Sequence, residues 1–381
     1  MAFQEHSYRD TWVEVNLENI TRNVEQVIQS TGQQLDVMAV VKADGYGHGA
    51  VQAAAAAVQG GAVFLGTALL EEAIELREAG FDLPILVLGR TRPEDAETAR
   101  QYNISLTVFQ KEWLDKAAAC MAQGQALSVH LKTDTGMGRI GLRSDEEIID
   151  FLEAVSSQSA FDLEGIFTHF ATADEQETSY FYSQHERFKE IVELTGKIVQ
   201  LPPYIHCGNS AAGMRFPDRC FTMFRFGISM YGLTPSAEIN EELPFDLQPA
   251  FSLYSRLVQV KKISPGESIS YGATYTAEKE EYIGTVPIGY ADGWNRHHST
   301  NGGYVLINGE KAPIVGRVCM DQMMVRLSGP EETGAKVTLI GKDNGAEITV
   351  LDAAERLGTI TYEIPCMISK RVPRKYISSR N

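Results

Sequence analysis

The sequence has no CxxC pair and an odd cysteine count: Cys120, Cys207, Cys220, Cys319 and Cys366 are scattered over 381 residues. Such usage argues against a disulfide framework and a thiolate zinc site, and points to a reducing cytoplasm. No apolar run approaches the ~18 residues of a membrane span. The opening MAFQEHSYRDTWVEV lacks the basic region and apolar core of an export signal. Basic residues are in deficit, 34 Lys+Arg against 50 Asp+Glu, for a net charge of −16. That field repels nucleic-acid phosphates and anionic membrane surfaces, so neither partner is expected. Metal motifs are missing as well. The eight histidines form no HExxH, the adjacent His297 and His298 cannot converge as i, i+4 ligands do, and no acidic loop has EF-hand spacing. Neither a G-x-S-x-G elbow nor a Walker loop occurs.

What is present is a large core-forming fraction, 44% hydrophobic residues, and a patterned first two-thirds. Apolar runs at 35–41, 62–66, 84–89, 104–108, 127–132, 163–170, 204–207 and 223–227 read as buried strands. Helix candidates lie between them at 49–59, 67–79, 93–101, 110–122, 144–156 and 178–196. Eight βα units in this length predict a parallel (β/α)8 barrel of the TIM type, with an open doubly wound sheet as the alternative. From PFDLQPAFSL (244–253) onward, strand-like alternations separated by Gly, Pro and Asn turns predict a mostly antiparallel β-domain with hardly any helix. The expected units are therefore 1–243 and 244–381, and the strand 11–16 is free to pair with the second.

The chemistry-bearing residues gather at strand ends, the face where barrels place active sites. In AVVKADGYGHGA (39–50), Lys42 follows an apolar strand and precedes a glycine-dense turn. Desolvation there lowers a lysine pKa and favours Schiff-base chemistry, whereas the bland alternative is a snorkelling lysine. GYGHGA also satisfies the G-x-G-x-x-A dinucleotide pattern. A nicotinamide site needs an acid at the second strand tip, however, and there stands Thr67, with Glu71 and Glu72 one turn into the helix. HLKTDTGMGRIG (130–141) brings Lys132, Asp134 and Arg139 to another strand end, and THFATADE (168–175) brings His169, which is either a structural hydrogen-bonder or a base. GNSAAG (208–213) and Gly227-Ile228-Ser229 come after the seventh and eighth runs, in the loops that commonly bind phosphate in barrels. One phosphorylated cofactor would there meet Lys42, Ser210, Arg225 and Gly227.

Nine segments, AVVKADGYGHG, KTDTGMGRIG, THFATADE, HCGNSAA, FRFGISMYG, ISYGATYTA, IGYADGWNR, GRVCMDQ and YEIPCMISKRVPR, stand in the order found in the alanine racemase family. The sequence resembles that family over essentially its whole length. The resemblance implies a pyridoxal 5'-phosphate isomerase that interconverts L- and D-alanine, supplies D-alanine for peptidoglycan, and works as a homodimer with shared sites. By the same resemblance Lys42 carries the cofactor as a Schiff base and is the base on the D side, and Tyr271, from the other subunit, is the base on the L side. Tyr46, Ser210, Gly227, Ile228 and Tyr362 match phosphate ligands, with Asn209 and His169 also beside the cofactor. Arg225 matches the residue facing the pyridine nitrogen. An arginine cannot protonate that nitrogen, so the cofactor remains a mild electron sink and transamination is suppressed. A chain from the tyrosine through His169 to Arg225 would help the phenol, of ordinary pKa ~10, to ionise. Arg139 matches a contact to the cofactor phenolic oxygen and the substrate, and Met320 and Asp321 match second-subunit residues near the substrate carboxylate. Lys132 matches a lysine often carried as an N-carbamate, while Asp174, Tyr290, Arg296 and Arg317 match the entry corridor. The rival expectations are a racemase of serine or a basic amino acid, a non-catalytic pyridoxal-phosphate carrier, and a dinucleotide oxidoreductase. Broad-specificity racemases usually carry an export signal, which counts against the first.

Overall fold

The computed structural model describes residues 7–32 and 34–378. The first six residues, where the export-signal reading begins, and the last three lie outside the described part. The chain divides into two compact units, 19–248 and the combination of 1–18 with 249–381.

The first unit is a closed parallel barrel. Counting Trp12–Asn16 as β1, its strands are β2 (Asp36–Val40), β3 (Phe64–Thr67), β4 (Ile85–Arg90), β5 (Ser105–Val108), β6 (Leu127–Lys132), β7 (Phe161–Phe167), β8 (Tyr204–His206) and β9 (Met223–Phe226). Closure is made by β2 pairing with β9, from Asp36 opposite Met223 to Ala39 opposite Phe226. That pairing rules out the open doubly wound alternative. Every residue of β3, β5 and β9 is buried, which is why these strands appear in sequence as continuous apolar runs rather than alternations. Met38, Phe64, Leu86 and Met223 pack inside, with Leu88 and Tyr204 against them.

The surrounding helices obey ordinary start signals. Helix Asp145–Ser157 opens on a capping box in which Ser144 Oγ accepts the Glu147 N–H and the Glu147 carboxylate accepts the Ser144 N–H. It then buries Ile148, Phe151, Leu152 and Val155, an i, i+3, i+4, i+7 stripe. Helix Leu17–Ser30, which the apolar runs do not reveal, buries Ile20, Val24 and Val27 in the same way.

The second unit is built on a ten-stranded sheet whose main path runs Gln259–Ile263, Glu281–Val286, Met323–Leu327, Glu310–Val315, Tyr304–Ile307, Lys336–Asp343, Phe251–Arg256, β1 and Arg374–Ile377. β1 pairs antiparallel with Phe251–Arg256 and parallel with Arg374–Ile377. A closed barrel has no edge, so the backbone groups of β1 find partners only in an open sheet. The expected limits of 1–243 and 244–381 are shifted accordingly: residues through 18 join the second unit and the break falls at 248/249. Two short helices, Val350–Leu357 and Glu363–Met367, interrupt a stretch expected to be nearly helix-free. The first starts on a second capping box, Thr349 with Asp352. Among the described residues no helix is long and apolar enough to cross a membrane, and no cluster of three or more His, Cys, Asp or Glu side chains has the arrangement of a metal site.

Candidate active site

β2 ends at Val40, and two residues on comes Lys42, half-buried. The backbone then makes a left-handed turn: φ is 53° at Ala43, 54° at Asp44, 60° at Gly45, 52° at Tyr46 and 80° at Gly47. For L-residues that conformation costs about 1–2 kcal/mol each. The cost is offset by side chains that grip the turn. The Glu72 carboxylate accepts the Ala43 N–H at 2.7 Å together with the N–H groups of Ala68 and Leu69 at 2.8 and 3.1 Å. Asp44 accepts the Ala50 N–H at 3.0 Å. The His48 ring stacks on Tyr231 with centroids 4.3 Å apart, and Tyr231 donates to the Val40 carbonyl at 3.1 Å. At Gly45 a Cβ would lie 3.3 Å from Ala50 and Ala53, so both backbone and space demand glycine. The dinucleotide-like GYGHGA is thus a left-handed turn, and the nearby Glu72 spends its carboxylate on backbone amides rather than facing a ribose.

Tyr46 turns back into the barrel mouth, with Lys42 Nζ 5.9 Å from its ring centroid. Its Oη lies 2.8 Å from where a Cβ on Gly227 would stand. Gly227 N–H donates to Ser210 Oγ at 2.9 Å, and Asn209 Oδ1 caps the turn by accepting the Ala212 N–H at 3.0 Å. Ile228, buried, continues from Gly227. Tyr46, Asn209, Ser210, Gly227 and Ile228 therefore gather around one small cradle of hydroxyl and amide donors.

Arg225 lies on β9 with only 4% of its surface exposed. Its Nη1 donates to His206 Nδ1 at 2.8 Å, and its Nη2 donates to the carbonyls of Thr168 (2.9 Å) and Cys207 (3.1 Å) and to His169 Nδ1 at 3.0 Å. Burial lowers its pKa to about 10, so it remains a cation at neutral pH. The His169 pKa falls well below the usual histidine range, first by burial and then by the charges of Arg225, Arg139, Lys132 and Lys42. His169 is accordingly neutral, with its proton on Nε2. Lys132, 3% exposed, donates to the Thr133 carbonyl. Burial, then the Arg225 charge, brings its pKa to about 7, with Asp134 opposing and Arg139 adding to the fall. Asp134 in turn accepts the amides of Gly136 and Gly138, shaping the loop that carries the exposed Arg139. Asp174 is half-buried, and burial raises its pKa. In a chain of net charge −16, the charges of Arg225, Arg139 and Lys42, and of Lys132 when protonated, together lower the His169 pKa, an arrangement suited to an anionic ligand. Donor cradle, buried guanidinium and strand-end lysine together fit a phosphorylated aromatic aldehyde with an amino-acid carboxylate beside it.

The other expected site residues belong to the second unit. Tyr271 is 70% exposed and opens a short turn after Ser270, whose hydroxyl donates to the Arg317 carbonyl at 2.7 Å. The amides of Tyr290 and Ala291 donate to the carbonyls of Cys319 and Met320, both at 3.0 Å. Arg371 Nη2 donates to Asp321 at 2.7 Å. Tyr271, Tyr290, Arg317, Met320 and Asp321 thus share one stitched, outward-facing patch, with exposed Arg296 tied in where Ser299 Oγ accepts the Val318 N–H. Tyr362 lies half-buried ahead of helix Glu363–Met367. Sequence reasoning weighed Glu72 only as a ribose-binding acid and overlooked Arg371, His206, His130 and Glu164. Only the capping position of Glu72, three residues after Leu69, carried a readable signal.

Known proteins match the chain along its length. The alanine racemase N-terminal domain profile covers residues 15–235 and the C-terminal domain profile residues 250–376. An alanine racemase of Halalkalibacterium halodurans is 56% identical over 374 residues, 98% of this chain and 96% of its own. The crystal structure of the Bacillus anthracis alanine racemase with bound L-Ala-P superposes with a TM-score of 0.95 at 45% identity, covering 99% of this chain and 97% of that one. A histidine racemase from Leuconostoc mesenteroides subsp. sake gives a TM-score of 0.91 at 33% identity, covering 98% and 99%.

Proposed function

The chain belongs to the alanine racemase family, and from that premise we propose how its residues interconvert L- and D-alanine with pyridoxal 5'-phosphate. The observation that carries the reading is the buried Arg225, which donates to His169 Nδ1 and lies two residues before Gly227 of the donor cradle formed with Tyr46 and Ser210. When bound, pyridoxal phosphate draws electrons from the substrate α-carbon and so acidifies its C–H bond. Tyr46, Asn209, Ser210, Gly227, Ile228 and Tyr362 hold the phosphate end. Arg225, a cation fixed by His206, His169 and two carbonyls, would be the group beside the pyridine nitrogen and, as an arginine, would not protonate it. Arg139 receives the substrate carboxylate, and Met320 and Asp321 come near it from a second copy of the chain.

Racemisation needs a proton taken from one face and returned on the other. Lys42 Nζ handles the D face and Tyr271 Oη the L face. The exposure of Tyr271 in its own chain supports its delivery to a second copy, so the active form is a homodimer with shared sites, and Asp174, Tyr290, Arg296 and Arg317 line the approach. The enzyme acts in the cytoplasm on free alanine, without nucleic-acid or membrane partners, and feeds peptidoglycan synthesis.

Incubation of single enantiomers of alanine, serine, histidine, lysine and arginine with enzyme and cofactor, and chiral separation of the products, tests this directly. Alanine is expected to reach an equal mixture fastest. Faster conversion of histidine, the substrate class of one structural neighbour, would reassign the substrate. No conversion of any of the five would reject the reading.

Lys132 gives a pH-dependent prediction. Only its neutral amine attacks carbon dioxide, forming the N–C bond of a carbamate and releasing a proton. With a pKa of about 7, the neutral fraction rises as pH climbs through that value. A carbamate signal from 13C-bicarbonate should therefore be stronger at about pH 8 than at about pH 6 and vanish in Lys132→Ala. A wild-type spectrum without it at the higher pH would remove the carbamate from the site.

A further inference from the structure

Arg225 also begins a buried hydrogen-bond chain that leads away from the active-site face. Its Nη1 reaches His206 Nδ1 at 2.8 Å, His206 Nε2 lies 3.0 Å from His130 Nδ1, and His130 Nε2 lies 3.0 Å from Glu164 Oε2. Ser105 closes the far end by donating to the same Glu164 oxygen at 2.5 Å. Both imidazoles are fully buried, while the Glu164 side chain keeps 19% exposure. Register places the members in descending layers. His206 lies opposite Phe167, His130 lies two residues before the end of β6 and opposite Gly165, and Ser105 is the first residue of β5. The chain thus crosses the barrel interior from the strand ends that carry the site toward the strand starts.

The path is built for these rings. A Cβ on Gly165 would lie 2.3 Å from His130 Nδ1, so the missing side chain is the space the imidazole crosses. Phe167 stacks on His206 with centroids 4.7 Å apart and planes 5° apart, and Tyr204 lies parallel to His130 at 6.1 Å.

The donors admit one polarity. Arginine only donates, so His206 Nδ1 accepts and its proton sits on Nε2. That proton is given to His130 Nδ1, which leaves the His130 proton on Nε2, directed at Glu164. A doubly protonated His130 would force the His206 proton onto Nδ1, against the guanidinium, and pair two donors. Glu164 is the acceptor that terminates the series. Burial works to raise its pKa, but the His130 and Ser105 interactions outweigh this and hold it below the usual range.

We propose that Glu164 is a positioning residue for the reaction: through His130 and His206 it supplies the terminal acceptor of a hydrogen-bond chain that ends on Arg225 and holds that guanidinium in place. This rests on the racemase reading for its purpose, though not for its test. Neighbouring charges make the role concrete, since Lys132 and Arg139 add positive charge near Arg225 and Glu164 is the carboxylate connected to it through the chain. The polarity that Arg225 imposes is thus completed by one carboxylate lying on the other side of the barrel interior from the chemistry.

Histidine labelled with 15N, observed in the holoenzyme by multiple-bond N–H correlation, reports which nitrogen of each ring is protonated and needs no turnover. His130 and His206 should both carry the proton on Nε2, and His206, held neutral by burial and the Arg225 charge, should show no titration from about pH 6 to about pH 8, where free histidine titrates. Glu164→Leu removes the terminal acceptor and should shift the tautomer or protonation of at least one ring. It should also lower kcat on the order of tenfold, the scale of partners that orient functional imidazoles, with KM for alanine little changed. Glu164→Gln retains an acceptor and should restore both the tautomers and most of kcat. Nδ1 protonation of either ring in the wild type would overturn the proposal, whether or not the leucine variant folds. Glu164→Leu spectra identical to wild type would overturn it too. If the chiral assay finds no racemase, the imidazole spectra still decide the chain polarity independently.

Discussion

Lys42→Ala chains are expected to lose racemase turnover by on the order of 10⁴-fold or more, because one truncation removes both the covalent hold on the cofactor and the proton carrier of the D face. The fold should survive it. Lys42 is half-buried at the start of a turn gripped by Glu72, Asp44 and Tyr231. Two measurements separate the chemical loss from unfolding. Borohydride treatment and peptide mapping should fix a pyridoxyl group on residue 42 of the wild type and on no residue of the variant, while circular dichroism remains unchanged. Turnover within tenfold of wild type would show that another residue carries the proton.

Tyr271→Phe should cost about 10²–10⁴ in racemisation, the range ascribed to a positioned acid or base. The lost oxygen belongs to a side chain 70% exposed in its own chain, so stability should barely change. The loss should be one-sided. Deuterium wash-in at the α-carbon of L-alanine should collapse, while exchange from D-alanine, served by Lys42, largely persists. Equal wash-in from L-alanine by variant and wild type would withdraw the role. Mixing Lys42→Ala chains with Tyr271→Phe chains tests the shared site. In a mixed dimer one site combines both lesions and the other neither, so random exchange should restore roughly a quarter of the wild-type sites. Exchange without any recovery would mean that each chain supplies both bases to its own site.

Much of the barrel was legible because a strand buried on both faces needs an unbroken apolar run, as in ILVLG and SLTV, and because helix starts such as Ser144 with Glu147 announce themselves by capping. The site was legible where chemistry sits at a strand end beside glycine: Lys42, Ser210, Arg225 and Gly227. Local propensity failed at Ala43, Asp44 and Tyr46, whose positive φ opposes their own preference and is imposed by contacts from distant residues such as Glu72. His130, His206 and Glu164 escaped notice for a related reason. A polar residue within a strand pattern reads as one that faces water, and only barrel closure turns these three inward. Tyr271, Met320 and Asp321 were reachable by family resemblance alone, since an exposed aromatic on a β-domain carries no mark of function in one sequence. The partner of β1 was similarly undetermined, because a strand of WVEVN suits any open edge.

The pairing of β1 also sets a timetable for synthesis. Its antiparallel neighbour begins at Phe251, 235 residue positions after the end of β1, and its parallel neighbour, Arg374–Ile377, is made later still. At about 5–20 residues per second, β1 waits roughly 12–47 s after emerging before even the first partner exists. The barrel, residues 19–248, is complete within that interval and closes without any strand from outside. Every residue of the barrel is therefore made before either strand partner of the five-residue β1, and the sheet unit is assembled from segments made before and after the barrel.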